Sequence, residues 1–274
     1  MGEVIVVIGA GQIGQAIARR VSFGKHVLLA DLHQGMPMRR TEVLSNAGFE
    51  VSTATVGVSS RESVHALVQT ATACGDITGV IHAAGVSPSQ APPATILAVD
   101  LYGTALVLEE FGNVIAGGGA GIVIASQSGH RLGALTAEQD AALATTPTEE
   151  LLGLPMLARP GDRPPPRLPA GQAREFAAGD GRGCPVGQAR RASPHDQPRH
   201  YLHPARQGRA DRTPRRGIPA HDRVVSGRAG GTPDEVGAVG ALLMGPEGTF
   251  ITGSEFLMDG GVTASYFYGE LAPR

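Results

Sequence analysis

The opening of this chain limits its fold more than any other feature. Glu3-Val4-Ile5-Val6-Val7-Ile8 is a run of apolar, mostly β-branched residues behind a single acid, as expected for a parallel strand buried on both faces. It feeds Gly9-Ala10-Gly11-Gln12-Ile13-Gly14 and then a helical stretch through Arg20. G-x-G-x-x-G has a mechanical meaning between a strand and a helix. Gly9 permits the tight turn and Gly11 lets backbone amides approach a pyrophosphate. Gln12 and Ile13 stand at the helix N-terminus that faces the anion, and Gly14 lets the helix pack close to the sheet.

A second strand, His26-Val27-Leu28-Leu29-Ala30, ends in Asp31, about 20 residues beyond the turn, where a carboxylate can bind an adenosine ribose. Asp31 would repel a 2′-phosphate, which favours NAD over NADP. The same aspartate would also serve as an ordinary turn cap. Gly79-Val80-Ile81-His82 then leads into Ala83-Ala84-Gly85, and Gly121-Ile122-Val123-Ile124-Ala125 into Ser126-Gln127-Ser128-Gly129. Between them, 94–115 has a helical apolar pattern. This alternation predicts an α/β protein with a Rossmann-type doubly wound parallel sheet and a ligand at the carboxyl ends of the strands.

With 274 residues, 42% hydrophobic, and a net charge of −2, the chain is long enough for one sizeable domain. Nothing in that balance calls for a polyanionic partner. There is no basic leader and no window of roughly 18 apolar residues, so no membrane is expected and the cytoplasm is the expected address. Cys74 and Cys184 have no metal-ligand or disulfide spacing and read as incidental thiols.

In order, the glycine-rich turn, Asp31, His82-Ala83-Ala84-Gly85, Val99-Asp100-Leu101 and Ile124-Ala125-Ser126 resemble the short-chain dehydrogenase/reductase family. The run 227–236, Phe250-Ile251-Thr252-Gly253 and Met258-Asp259-Gly260-Gly261 are similar to that family's closing helix and last strand. The resemblance covers 1–157 and 227–274. It implies that Val58, Ala83, Ala84 and Gly85 line the adenosine side of a nicotinamide cofactor. It also implies that Ser126 holds the carbonyl or hydroxyl of a small alcohol or ketone substrate, with Ser128 a second candidate. Either serine would equally suit a strand-end turn, and His82 reads as a satisfied strand-end partner. The family commonly forms homodimers or homotetramers. Departures are His82-Ala83 where Asn-Asn is usual, Asp100 where a relay asparagine is usual, and Gly57 where an adenine-binding aspartate is common.

The resemblance also implies a catalytic Tyr-x-x-x-Lys, the lysine making the phenol a usable acid or base. None is present. Lys25 is the single lysine, and none of Tyr102, Tyr201, Tyr266 and Tyr268 has a lysine four residues on. From 158 to about 230 periodicity gives way to arginine, proline, glycine and alanine, as in Arg163-Pro164-Pro165-Pro166-Arg167. Proline at that density removes amide donors and forbids long helices.

Three readings address this stretch. A basic insert would suit nucleic acid or an acidic partner, but Phe176 and Tyr201 are its only aromatics, which argues against a single-strand binder. His195, His200 and His203 lie close together, but no regular element aims them at a metal, and no metal is expected. The third reading is translation out of frame. Shifted by one base, degenerate codons for His195–Gln207 admit Thr-Ile-Ser-Pro-Gly-Ile-Ile-Ser-Thr-Pro-Leu-Ala-Lys, the family's Pro-Gly loop. Pro166–Gln172 admit His-Ala-Tyr-Gln-Leu-Ala-Lys, which contains Tyr-x-x-x-Lys. Met36–Arg40 looks like a shorter slip.

These observations predict an irregular region over 158–226 and a last strand, near Thr249–Met258, deprived of its sheet neighbour. They imply a nicotinamide-dependent oxidoreductase by descent that is inactive or nearly so as written. A non-catalytic dinucleotide-binding protein or sensor is the alternative. Residues 133–150 read as a lid or a surface loop.

Overall fold

In the computed structural model, residues 2–33, 41–131, 134–157, 200–204 and 231–268 are described, with 200–204 described by backbone alone. Strand β1 (Glu3–Ile8) leads into helix α1 (Gln12–Val21), and β2 (His26–Asp31) and β3 (Glu50–Thr55) follow. Helix α2 (Arg61–Cys74) precedes β4 (Asp76–His82). Next comes one helical run in three pieces: α3 (Pro93–Ile96), a π turn (Leu97–Tyr102) and α4 (Gly103–Gly112). After β5 (Ala120–Ile124) come a 3-10 turn (Gly129–Arg131), α5 (Ala137–Thr145) and a 3-10 segment (Thr148–Gly153). Strand β6 (His200–Pro204), α6 (Pro233–Met244), β7 (Ser254–Met258) and α7 (Val262–Tyr268) complete the described elements.

All seven strands are parallel in the order β3-β2-β1-β4-β5-β6-β7. The chain moves outward from β1 to β3 on one side and from β4 to β7 on the other. The crevice between the carboxyl ends of β1 and β4 is therefore the topological switch point, where ligands bind in such sheets. Alternation along β1 divides the core. Val4, Val6 and Ile8 join Leu67, Leu106 and Phe111 on one face, and Ile5 and Val7 join Ile17, Val236 and Leu243 on the other. Burial on both faces is why the opening run is apolar throughout.

At the amino ends of the strands, Lys25 Nζ lies 2.6 Å from Glu3 Oε2 and donates to Thr78 Oγ1 at 3.3 Å. On the α1 face, Arg20 bonds both oxygens of Asp234 at 2.6 and 2.8 Å, tying α1 to the first turn of α6.

One expectation is corrected here. The last strand is not left without a neighbour, because β6 pairs in parallel with both β5 and β7, Tyr201 opposite Val123 and Glu255. His-Tyr-Leu-His-Pro has little strand character by composition. Strand pairing uses main-chain groups that any residue but proline supplies, and position between two strands overrides local propensity. The rest of the arginine- and proline-rich stretch, Met36–Arg40, Cys184 and His195 lie outside the described residues.

The 133–150 region contains a regular helix. Thr136 Oγ1 accepts the Gln139 amide at 3.3 Å while Gln139 Oε1 accepts the Thr136 amide at 3.0 Å, a capping box that starts α5.

Candidate functional site

The parallel register sets Ala54, Ala30, Ile8, His82, Val123, Tyr201 and Glu255 in one row across the sheet. Gly9, Asp31 and Ala83 each stand one residue beyond that row. Three segments singled out separately along the chain thus meet on one rim.

Their contact is close. Gly9 has φ +94°, and a Cβ there would fall 2.4 Å from Ala84 N and 2.5 Å from the Ala83 carbonyl carbon. A Cβ at Gly14 would lie 2.7 Å from Gly9 O and 2.9 Å from Val7 Cγ1. Only glycine fits either place. Gly11 is the extended N-cap of α1 with no side chain over the first turn, so the amides that follow, beginning with Gln12 and Ile13, open on the crevice side of the turn. Such a helix start, with its unpaired N–H groups and positive dipole end, suits a pyrophosphate. The tight Gly9 cradle is the observation by which these residues fit a dinucleotide.

Asp31 Oδ2 accepts the Ala10 amide at 2.9 Å, and Oδ1 accepts the His33 amide at 3.4 Å. The turn-cap and ribose readings of this carboxylate are thus compatible. One oxygen braces the glycine-rich turn, and the other is held only by a long bond.

The Val58 side chain is in the core, and a Cβ on Gly103 would lie 2.9 Å from its Cγ2 and 3.0 Å from its main-chain oxygen. Gly57 donates its amide to Ser63 Oγ at 2.9 Å.

His82 is buried, with Nε2 3.2 Å from Thr104 Oγ1. Asp100, inside the π turn, accepts the Val86 amide on Oδ1 at 2.9 Å. Burial pushes its carboxyl up to about 6, against the pull of the Val86 amide. Sequence reasoning noted Asp100 only as a departure and missed the π turn.

Ser126 lies just past β5 in a turn closed by the Gly129 amide on its carbonyl at 2.9 Å, and its Oγ accepts the Ser128 amide at 3.3 Å. Ser128 Oγ accepts from Arg131 at 3.3 Å, and the Arg131 guanidinium lies over the Tyr266 ring, 5.7 Å from its centre. His130 pairs with Glu255. Asp259 accepts the Gly261 and Thr263 amides at 2.9 and 2.6 Å, starting α7. Burial alone would raise the Asp259 carboxyl, but the Thr263 and Gly261 bonds and nearby His130 hold it below its ordinary value. The β7–α7 segment therefore braces the turn that carries Ser126, a role no motif announced. Tyr102 donates to Glu149 at 2.7 Å and Lys25 is engaged at the amino ends of the strands, so neither completes a catalytic pair with Ser126. Among the described residues, no cluster of metal-ligating side chains occurs and no helix is long and apolar enough to cross a membrane.

Comparison with known proteins agrees with this geometry. The family profile described as enoyl-(acyl carrier protein) reductase matches residues 9–143. The short-chain dehydrogenase/reductase bsc3 of Alternaria brassicicola is 33% identical, over 95% of this chain and 95% of its own length. Two solved structures share the fold. The citronellol catabolism dehydrogenase AtuB of Pseudomonas aeruginosa PAO1 has a TM-score of 0.64 at 21% identity, covering 96% of this chain and 95% of the other. A blue fluorescent protein from a metagenomic library, solved in complex with NADPH, has a TM-score of 0.65 at 18% identity, covering 95% and 98%.

Proposed function

Because the chain belongs to the short-chain dehydrogenase/reductase family of oxidoreductases, we propose that its crevice is an NAD site on a protein built for hydride exchange with a small alcohol or ketone. The meeting of Gly9, Asp31 and Ala83 on one rim carries this reading. Gly9, Gly11, Gln12, Ile13 and Gly14 hold the pyrophosphate, Asp31 the adenosine ribose, and Ala83, Ala84 and Gly85 the adenosine side, with Val58 beside them. The bound dinucleotide supplies or accepts the hydride. NADPH is bound by the metagenomic relative in fold, but a carboxylate at Asp31 repels a 2′-phosphate, which supports NAD here.

Ser126 hydrogen-bonds the substrate oxygen and, of the family's catalytic groups, survives alone. General acid–base catalysis needs a proton donor within hydrogen-bond reach, and the sequence has no Tyr-x-x-x-Lys. Turnover by this chain is therefore absent or nearly so. We attribute the missing pair to a reading-frame error over about 158–230. The profile match stops at residue 143, before that stretch begins. A cytoplasmic homodimer or homotetramer without membrane or nucleic-acid partners fits this account.

Two measurements test the reading. The chain has no tryptophan, so bound NADH can be followed by its own fluorescence. Saturable NADH binding is expected, tighter than NADPH, without turnover of alcohols. Failure to bind would sink the dinucleotide site. Re-reading the gene across codons 155–232 is expected to find an indel whose repair restores Tyr-x-x-x-Lys and activity. An unchanged frame, with NADH binding intact, would favour the non-catalytic dinucleotide-binding or sensor reading, which Asp31 and the Gly9 cradle support equally.

A further inference from the structure

Asp100 is attached to both ends of the short turn that follows β4. Its main-chain carbonyl accepts the Thr104 hydroxyl at 2.7 Å, and Thr104 Oγ1 in turn lies 3.2 Å from His82 Nε2. A hydroxyl has one proton. With that proton given to Asp100 O, the His82 contact requires Nε2–H to donate. At the other end, Asp100 Oδ1 accepts the Val86 amide at 2.9 Å, and a Cβ on Gly85 would lie 3.3 Å from the same oxygen. Between the two anchors lie Ala83, Ala84 and Gly85, and against Ala83 and Ala84 rests Gly9.

We infer that Asp100 is a positioning residue for the dinucleotide: held to His82 through Thr104 and to Val86 directly, it sets Ala83–Gly85 against Gly9, and its charge state tunes nucleotide affinity. The inference rests on the NAD reading of the crevice. A neutral carboxamide here would hold Val86 with a neutral hydrogen bond, whereas a carboxylate holds it with a charge-assisted one, roughly twice as strong. Because burial brings the carboxyl to about 6, the exchange between weak and strong anchoring falls within an accessible pH range. The titratable groups on the elements packed around it are few. His82 is on β4, reached through Thr104. Glu149 and Glu150 are on the Thr148–Gly153 segment that packs on the π turn, with Glu149 bound to Arg61 and Tyr102. Pieces α3 and α4 bring only Glu109 and Glu110, both on Arg61.

The test is NADH titration of the full chain, wild type against Asp100→Asn and Asp100→Leu, from about pH 5 to 8, spanning the Asp100 titration. Exchange of the Val86 amide is followed in parallel without nucleotide. Wild-type affinity is expected to rise about fivefold across that range, the difference between a neutral and a charge-assisted hydrogen bond. Asp100→Asn should bind with no such rise, and Asp100→Leu should bind weakly throughout with an unprotected Val86 amide. The same pH profile in wild type and Asp100→Asn, or wild-type affinity in Asp100→Leu, would overturn the inference. If Asp100→Leu does not fold, the Asp100→Asn profile decides alone. No NADH binding by wild type at any pH overturns the NAD reading and the inference with it. Val86 exchange that still follows Asp100 would then identify the site reading, not the contact, as the error.

Discussion

Asp31 Oδ2 holds the amide of Ala10 at 2.9 Å, so the carboxylate that ends β2 is also the brace of the glycine-rich turn after β1. Removing it should loosen the turn and, on the NAD reading, weaken ribose recognition. Hydrogen bonds to charged groups contribute about 1.5–3 kcal/mol each. Asp31→Ala is therefore expected to weaken NADH binding by at least about tenfold. Asp31→Asn keeps an acceptor for Ala10 but loses the charge, and the NADPH-to-NADH affinity ratio should rise. Calorimetric titration with both nucleotides reads this, and an unchanged ratio in Asp31→Asn would remove Asp31 from ribose recognition.

Gly9→Ala should be among the most disruptive single changes in the chain. It adds a methyl group 2.4 Å from Ala84 N at a φ of +94°, so clash and backbone strain act together. Strain of that kind alone costs about 1–3 kcal/mol, and at this chain length each kcal/mol lowers Tm by roughly 2–4 °C. A melting temperature within a degree or so of wild type would mean that the Gly9–Ala83–Ala84 contact is looser than described.

Asp100→Asn is expected to stabilise the nucleotide-free protein, and to do so only towards higher pH. The carboxyl rises from its ordinary 3.8 to about 6 in the folded chain because burial disfavours its charge. A raised folded value gives stability that is full below the unfolded value and lost as pH climbs through the folded one. Discounted for partial exposure, the loss is about 2 kcal/mol. Urea denaturation at about pH 8 should show Asp100→Asn ahead of wild type by that amount, with little difference near pH 4. Equal curves at both would contradict the burial of the carboxyl.

Arg61 ties three carboxylates on two elements to the start of α2: Glu109 at 2.9 Å, Glu110 at 2.7 Å, and Glu149. Burial would raise the Glu109 carboxyl, but Arg61 and Thr148 hold it below the usual carboxylate range. A depressed value contributes stability above the unfolded value that is lost as pH falls through the folded one. Arg61→Leu should therefore cost about 1 kcal/mol at neutral pH, less in high salt and less in acid. A cost independent of both would assign the role of Arg61 to packing.

The cofactor half was legible because its physics is local. An apolar, β-branched run before glycines suits a buried strand entering a turn, and Gly9 and Ala83 fall one residue past the ends of β1 and β4 while Asp31 ends β2. The turn that holds Ser126 was legible for the same reason. Less was visible where the determinant is a contact between distant segments. Just past the π turn, Gly103 meets Val58, forty-five positions away in the sequence. The contacts of His130 with Glu255 and of Arg131 with Tyr266 depend on β7 and α7 lying beyond β6. Strand β6 itself was hidden because His-Tyr-Leu-His-Pro has no alternation to read, and its pairing is a main-chain matter. In the 134–150 region, Thr136-Ala137-Glu138-Gln139 held a readable capping signal that was overlooked.

The solitary lysine has a practical meaning beyond catalysis. Lys25, drawn to Glu3 and Thr78 at the amino ends of the strands, is the one side-chain amine on the molecule, on the opposite edge of the sheet from the rim that carries Gly9, Asp31 and Ala83. An acylating dye would mark a single known spot besides the chain terminus and leave the crevice untouched. Between two copies, a Lys25-to-Lys25 bridge would report one separation, and any other amine-directed bridge would have to use a chain terminus.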